Sequence, residues 1–349
     1  MSSVFNGILV PLDGSPVAEQ AVPYAMSLAS SLATPIHVLR ACQPPRMAWP
    51  EVDNAGYGFR GEVGITDPDS NTTALTYYMQ RKAYERMVAE QYVANVARFL
   101  SRRGLQITTA VEDGPAADVI LSKAYIDPSM LIVMGTHGRT GLPRIMHGSV
   151  ADSVLHQSVN PVLLVHSEQE QDWDQPAPVK NIVLALDGSV FAEGALAAAA
   201  VVGRALDAAV FPLWVVPHSL KNDGDDSEMT AAPAPMTEAT DAVARTYLND
   251  IASRLTDAGV AKVEPRVLHE DPAMGIVELA QRLPDTLVVM TTHGRSGMGR
   301  WILGSIADRV VARGNRPVLL IRPYQMAGQP SELHAHNIET VSAAANPTL

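Results

Sequence analysis

The chain has 349 residues, of which 47% are hydrophobic and 18% charged, and carries a formal net charge of -11. That length exceeds one ordinary core and suits two domains, while the composition is globular rather than disordered. The acidic excess argues against a nucleic-acid surface, and the apolar runs are too short or too interrupted by charge to suggest a membrane span. The lone Cys42 cannot close an intrachain disulfide, and the N-terminal stretch reads as no signal peptide, so a reducing cytoplasm is expected.

The first element is the apolar run Ile8-Leu-Val-Pro-Leu, closed by Asp13-Gly-Ser and therefore read as a strand. Ala21, Ala25, Leu28 and Leu32 then recur at helical spacing, predicting a helix from Pro16 to about Ala33. A second strand is expected over Ile36 to Cys42. Residues 43–73 contain Pro and Gly and show no periodicity, so they read as an insertion, long for a connection in a compact domain. Val88, Tyr92, Val96 and Phe99 mark a long amphipathic helix stopped by Gly104. Leu105 to Val111 reads as a strand, Pro115 opens a short helix, and Leu131-Ile-Val-Met and Pro161-Val-Leu-Leu-Val read as the fourth and fifth strands.

After the polar linker expected at 167–180, the order restarts. Ile182-Val-Leu-Ala-Leu-Asp187-Gly-Ser repeats the opening strand, and Val210 to Val216 the second. The helix carrying Val243, Tyr247, Ile251 and Leu255 repeats the long helix, and Arg316-Pro-Val-Leu-Leu-Ile repeats the last strand. The chain is therefore read as a duplicated domain, 1–166 and 181–323, followed by a flexible tail at 324–349. Strands alternating with helices imply α/β domains with parallel sheets and right-handed crossovers. Ligands of such sheets bind beyond the carboxyl ends of the strands, where the strand order reverses.

One stretch in each half carries chemistry. In the first, Gly135-x-x-Gly138 is followed after nine residues by Gly148-Ser149-Val150; in the second, Thr291-Thr-His-Gly294 leads to Gly304-Ser305-Ile306. Glycines let backbone N–H groups approach an anion, and a helix start adds unpaired N–H groups and partial positive charge. The spacing equally fits glycines as turn formers and Ser149 as a helix cap, with Asp152 completing a capping-box-like pattern. Arg139, Arg144, Arg295 and Arg300 either reach phosphates or are solvated, and His137 and His293 are read as loop-structuring. Asp13 and Asp187 end their strands; a ligand's polar edge is the preferred reading for Asp13, with helix capping the alternative. No P-loop lysine motif is present, and the run Gly297-Met-Gly299 fails as a dinucleotide fingerprint.

These residues resemble the universal stress protein family, in its tandem two-domain form. The matching stretches are Val10-Pro11-Leu12-Asp13-Gly14-Ser15, Gly135-Thr-His-Gly138-Arg139, Gly148-Ser149-Val150, Leu186-Asp187-Gly188-Ser189, Thr292-His-Gly294-Arg295, Gly304-Ser305 and the two Pro-Val-Leu-Leu strands. The resemblance implies two tandem domains, each a five-stranded parallel sheet with helices on both faces, Rossmann-like and similar to the adenine nucleotide alpha hydrolases. It further implies ATP, with or without Mg, as in the ATP-binding members, with a regulatory or stress-response role. Carried over, Pro11, Leu12, Asp13 and the backbone of Ala41 would meet the adenine end. Gly135, Gly138 and Arg139 would line the ribose and phosphates, and Gly148, Ser149 and Val150 would hold the phosphate chain. The second half would use Asp187, Val215, Gly294, Arg295, Gly304, Ser305 and Ile306. Thr291 departs from the pattern, because a glycine should stand there, and the first site is expected to be the stronger. The resemblance also implies a pseudo-symmetric pairing of the halves, homodimerisation and protein partners the sequence does not identify. A slow ATPase or phosphotransfer enzyme, and a tandem scaffold without nucleotide, are the competing readings.

Overall fold

The computed structural model describes residues 4–43, 68–136, 148–166, 173–217, 234–292 and 303–322. The first half runs β1 (Gly7–Pro11), α1 (Pro16–Glu19), α2 (Ala21–Leu32), β2 (Ile36–Cys42), α3 (Pro68–Ser101), β3 (Ile107–Asp113), α4 (Ala116–Ala124), β4 (Met130–Thr136), α5 (Ser149–Gln157) and β5 (Val162–His166). The second repeats that order with β6 (Asn181–Leu186), α6 (Val190–Glu193), α7 (Leu196–Ala205), β7 (Ala209–Val216), α8 (Ala234–Asp257), β8 (Arg266–His269), α9 (Pro272–Arg282), β9 (Thr286–Thr291), α10 (Ser305–Arg313) and β10 (Val318–Ile321).

All ten strands join one sheet in the order β3-β2-β1-β4-β5-β10-β9-β6-β7-β8. Within each half every pairing is parallel; the halves meet at the antiparallel pair β5–β10, with Leu163 opposite Leu319. Strand residues alternate between two cores. Val10, Val38, Val133, Leu163, Leu184 and Leu319 face the side covered by α2, α3, α7 and α8. Leu9, Leu39, Ile132, Leu164, Val183 and Leu320 face the side covered by α4, α5, α9 and α10. Burial on both faces is why these strands read as continuous apolar runs.

Several boundaries differ from expectation. The helix expected from Pro16 to Ala33 is two, separated at Gln20. Pro23 sits in the first turn of α2, where its missing N–H costs nothing but its ring would obstruct an unbroken helix. α3 starts at Pro68, inside the stretch read as an insertion, and β3 runs to Asp113, pairing with β2 as far as Cys42. Residues 44–67, most of that insertion, lie outside the described residues, as does the tail from 323. The end of the linker is docked: the Ala177 N–H donates to the Pro23 carbonyl, and the Ser27 hydroxyl donates to the Ala177 carbonyl at 2.5 Å.

The halves also hold each other through a reciprocal pair of contacts. His166, ending β5, donates from Nε2 to the Val311 carbonyl of α10 at 2.9 Å. Arg322, just beyond β10, donates to the Leu155 and His156 carbonyls of α5. Both reach carbonyls near a helix C-terminus, where positive charge and N–H donors are favoured.

Candidate nucleotide crevice

β1 and β4 are neighbours whose onward connections run to opposite sides, so the strand order reverses between them, and ligands of such sheets bind in the crevice beyond carboxyl ends placed in this way. Pro11, Leu12 and Asp13 lie at the end of β1, Ala41 at the end of β2, Gly135 and Thr136 at the end of β4, and Gly148, Ser149 and Val150 at the start of α5. Gly138, Arg139, His137 and Arg144 lie outside the described residues.

The turn after β1 is locally determined. The Ser15 N–H donates to Asp13 Oδ1 at 2.8 Å, and Ser15, not Asp13, caps α1 by accepting from the Ala18 N–H. Gly14 occupies the left-handed region at φ 82, where a side chain would be strained. Burial pushes the Asp13 carboxyl up, but hydrogen bonds from Ser15 and the charge of Arg40 outweigh it and hold it below the ordinary carboxylate value. Asp13 is thus an exposed anion at the end of β1. Arg40 lies over the Tyr92 ring at 5.1 Å, and the Tyr92 hydroxyl donates to Glu19 at 2.8 Å, which ties α3 to α1 beside the crevice.

At the end of β4, a Cβ on Gly135 would stand 1.9 Å from the Val17 carbonyl oxygen of α1. The glycine is therefore required by the close approach of α1, independently of any ligand. Side chains alternate along a strand, so Thr136 points to the opposite face, which α5 covers. Thr136 is 1% exposed, and its hydroxyl has no hydrogen-bond partner among the described residues. An orphaned buried hydroxyl costs about 1–3 kcal/mol. Sequence reasoning passed over Thr136; the available signal was a threonine ending an otherwise apolar strand on its α5 side.

Of the two readings of Ser149, capping does not hold. Gly148 takes the N-cap position, with φ -52 and ψ 146, and no side chain caps the helix. Ser149 is already helical, so its hydroxyl is not in the extended geometry a capping side chain needs. The start of α5 consequently presents N–H groups that no cap side chain satisfies.

The second crevice has the same frame with different joints. Asp187 Oδ1 accepts from both the N–H and hydroxyl of Ser189, at 2.9 and 2.6 Å. The Trp214 ring lies against Gly188, at the position Arg40 takes in the first half, and packs edge-on to Tyr247 at 5.3 Å. Val215 packs against Gly275 of α9. Thr291 and Thr292 are buried, and the Gly304 N–H donates to the Thr292 carbonyl at 2.7 Å. Ser305 and Ile306 open α10, again behind a glycine N-cap without a side-chain bond. Gly294, Arg295, His293 and Arg300 lie outside the described residues.

A hollow of about 320 Å³ lies elsewhere, lined by His37, Thr108, Lys123 and Met130 near the amino ends of the strands. A smaller one of about 230 Å³ adjoins the end of β2, between Arg40, Ala41 and Cys42 and α3 residues Tyr84 and Val88. Among the described residues no group of three His, Cys, Asp or Glu is placed to hold a metal, and no helix is long and apolar enough to cross a membrane.

Comparison with known proteins agrees with this architecture. The model of the universal stress protein family matches residues 63–166 and 178–322, well over half the chain. The first match begins beyond β1 and β2, so Asp13 and Ala41 are placed by the fold rather than by that match. A universal stress protein of Mycolicibacterium smegmatis is 27% identical over 325 residues, covering 92% of this chain and 99% of its own. One from Mycobacterium tuberculosis is 27% identical over 333 residues, covering 93% and 98%. Among solved structures, a universal stress protein from Archaeoglobus fulgidus superposes with a TM-score of 0.61 at 19% identity, over 93% of this chain and 99% of that one. At that identity the likeness speaks for the fold alone.

Proposed function

The chain belongs to the universal stress protein family, and from that premise we propose that its first half binds ATP at the β1–β4 crevice and serves a regulatory role. The observation that carries the proposal is the start of α5, which has no capping side-chain bond and follows β4 at the same sheet end as Asp13. A helix start of this kind favours an anion through its N–H groups and its partial positive charge. The residues fit a nucleotide: the Gly148-Ser149-Val150 backbone would meet phosphates, the exposed Asp13 carboxylate and the backbone at Ala41 would meet the polar edge of the base, and the orphaned Thr136 hydroxyl offers a further polar contact. Bound ATP supplies a polyanion whose charge is shared with Mg, and the protein's part is to orient it. Nucleotide occupancy would then set which self-association or partner surface is favoured, because ligand binding shifts a conformational equilibrium only through differential affinity.

Isothermal titration of the full chain with ATP and Mg tests this. Saturable heat, lost when Asp13→Ala is combined with Ser149→Pro, is expected; absence of heat with ATP and ADP alike would remove the nucleotide reading.

A further inference from the structure

The segments that follow β4 and β9 spring from equivalent residues and are closed differently at their bases. In the second half, the N–H of Gly304 donates to the Thr292 carbonyl, so the first donor of the α10 start is used within the protein. Among the described residues no corresponding bond joins Gly148 to Thr136. Thr136 is 1% exposed, its hydroxyl has no partner among those residues, and it points to the face that α5 covers, because Gly135 beside it faces α1. Among the described residues, the first half thus keeps a buried hydroxyl and a helix-start N–H without the pairing by which the second half closes its base.

We infer that the Thr136 hydroxyl, with the Gly148 N–H, is a ligand for a phosphate oxygen, and that the chain takes one nucleotide, in its first half. The inference rests on the nucleotide reading above and adds its stoichiometry and its buried polar contact. A hydroxyl that pairs only when ligand is present favours the bound state, since the unmet bond is a cost of the free protein that the ligand removes. The second half offers no such gain: its loop-base N–H would have to give up a bond to accept phosphate.

The test is titration of the full chain with ATP and Mg, paired with thermal melting in the absence of nucleotide. Wild type should bind one equivalent. Thr136→Val, which keeps the shape and removes the hydroxyl, should weaken affinity about tenfold, as expected for one lost hydrogen bond to a charged group, while the nucleotide-free melting temperature holds or rises. Thr136→Ser should bind within about threefold of wild type, by retaining the donor. If Thr136→Val binds as wild type does, the hydroxyl is not a ligand; if two equivalents bind with similar affinity, the single-site assignment fails. If wild type binds no nucleotide at all, the underlying reading fails with it.

Discussion

The two halves solve the same joints with different residues. In the first, Asn160 donates its amide to the Ala124, Asp127 and Met130 carbonyls; in the second, Arg316 at the corresponding place reaches the Gln281 and Leu283 carbonyls. Asp113 at the end of β3 pairs with Lys82 and Arg86 of α3, whereas His269 at the end of β8 pairs with Asp241 of α8 at 3.0 Å. Arg86 and Asp241 each lie six residues before the tyrosine that packs beside its crevice, so the pair has exchanged the sign of its helix partner. Duplication has kept the geometry while residue identities changed in complementary pairs. The crevice departs from that rule: Thr291 stands where the first half has Gly135 against α1, and the Gly304–Thr292 bond has no counterpart among the described residues of the first half.

The largest test of this contrast is Gly135→Ala. A Cβ 1.9 Å from a backbone oxygen forces α1 away, and a loss of about 3 kcal/mol in urea unfolding is expected. Thr291→Gly deletes a buried side chain instead of inserting one and should cost about 1–2 kcal/mol through lost packing; a gain in stability would mean that α6 presses on β9 as α1 does on β4. Next comes the joint between halves. Arg322→Met leaves the Leu155 and His156 carbonyls without their donor and should cost about 2 kcal/mol, against about 1 kcal/mol for His166→Leu, which frees one carbonyl. A reversed order in chemical denaturation would show that the joint is not carried by these side chains.

The smallest effect belongs to the strand-end ion pairs. The Lys82 hydrogen bond, against slight burial, and then the Lys82 and Arg86 charges hold the Asp113 carboxyl below its ordinary value. A depressed folded value means that this contribution is fully present above about pH 4 and fades as pH falls through the folded pKa. Because the pair is solvent-screened, Lys82→Gln should cost little at pH 7, and that small cost should shrink as pH falls toward 2. A difference that persists at pH 2 in the unfolding curves would assign the effect to helix packing instead.

Much of the fold was legible because strands buried on both faces leave continuous apolar runs, as at Leu131-Ile-Val-Met, and because the second half repeats their order. The join of both halves into one sheet was not legible: Leu163 and Leu319 look like any core residues, and nothing local reveals that one edge pairs antiparallel with the other. The residue types of Asp13 and Gly148-Ser149 pointed to the carboxyl end of the sheet, and the structure places them there. The roles within the crevice needed coordinates. Whether Ser149 caps depends on one backbone conformation, taken here by Gly148, and whether Gly135 serves ligand or packing depends on how closely α1 approaches. Thr136 was hidden for a related reason, since the lack of a partner is a property of surroundings and not of a residue type.

The β5–β10 pairing has a consequence for assembly. Each half offers its inner strand edge to the other, and the tether between them replaces a bimolecular encounter by an intramolecular one at an effective concentration of about millimolar. The ten-stranded sheet is accordingly insensitive to dilution, as two separate chains meeting edge to edge would not be. Cut at the tether and expressed apart, each half would carry a bare, apolar strand edge, β5 or β10, with its hydrogen-bonding groups exposed. Such halves would seek one another, or copies of themselves, at a rate set by how much protein is present.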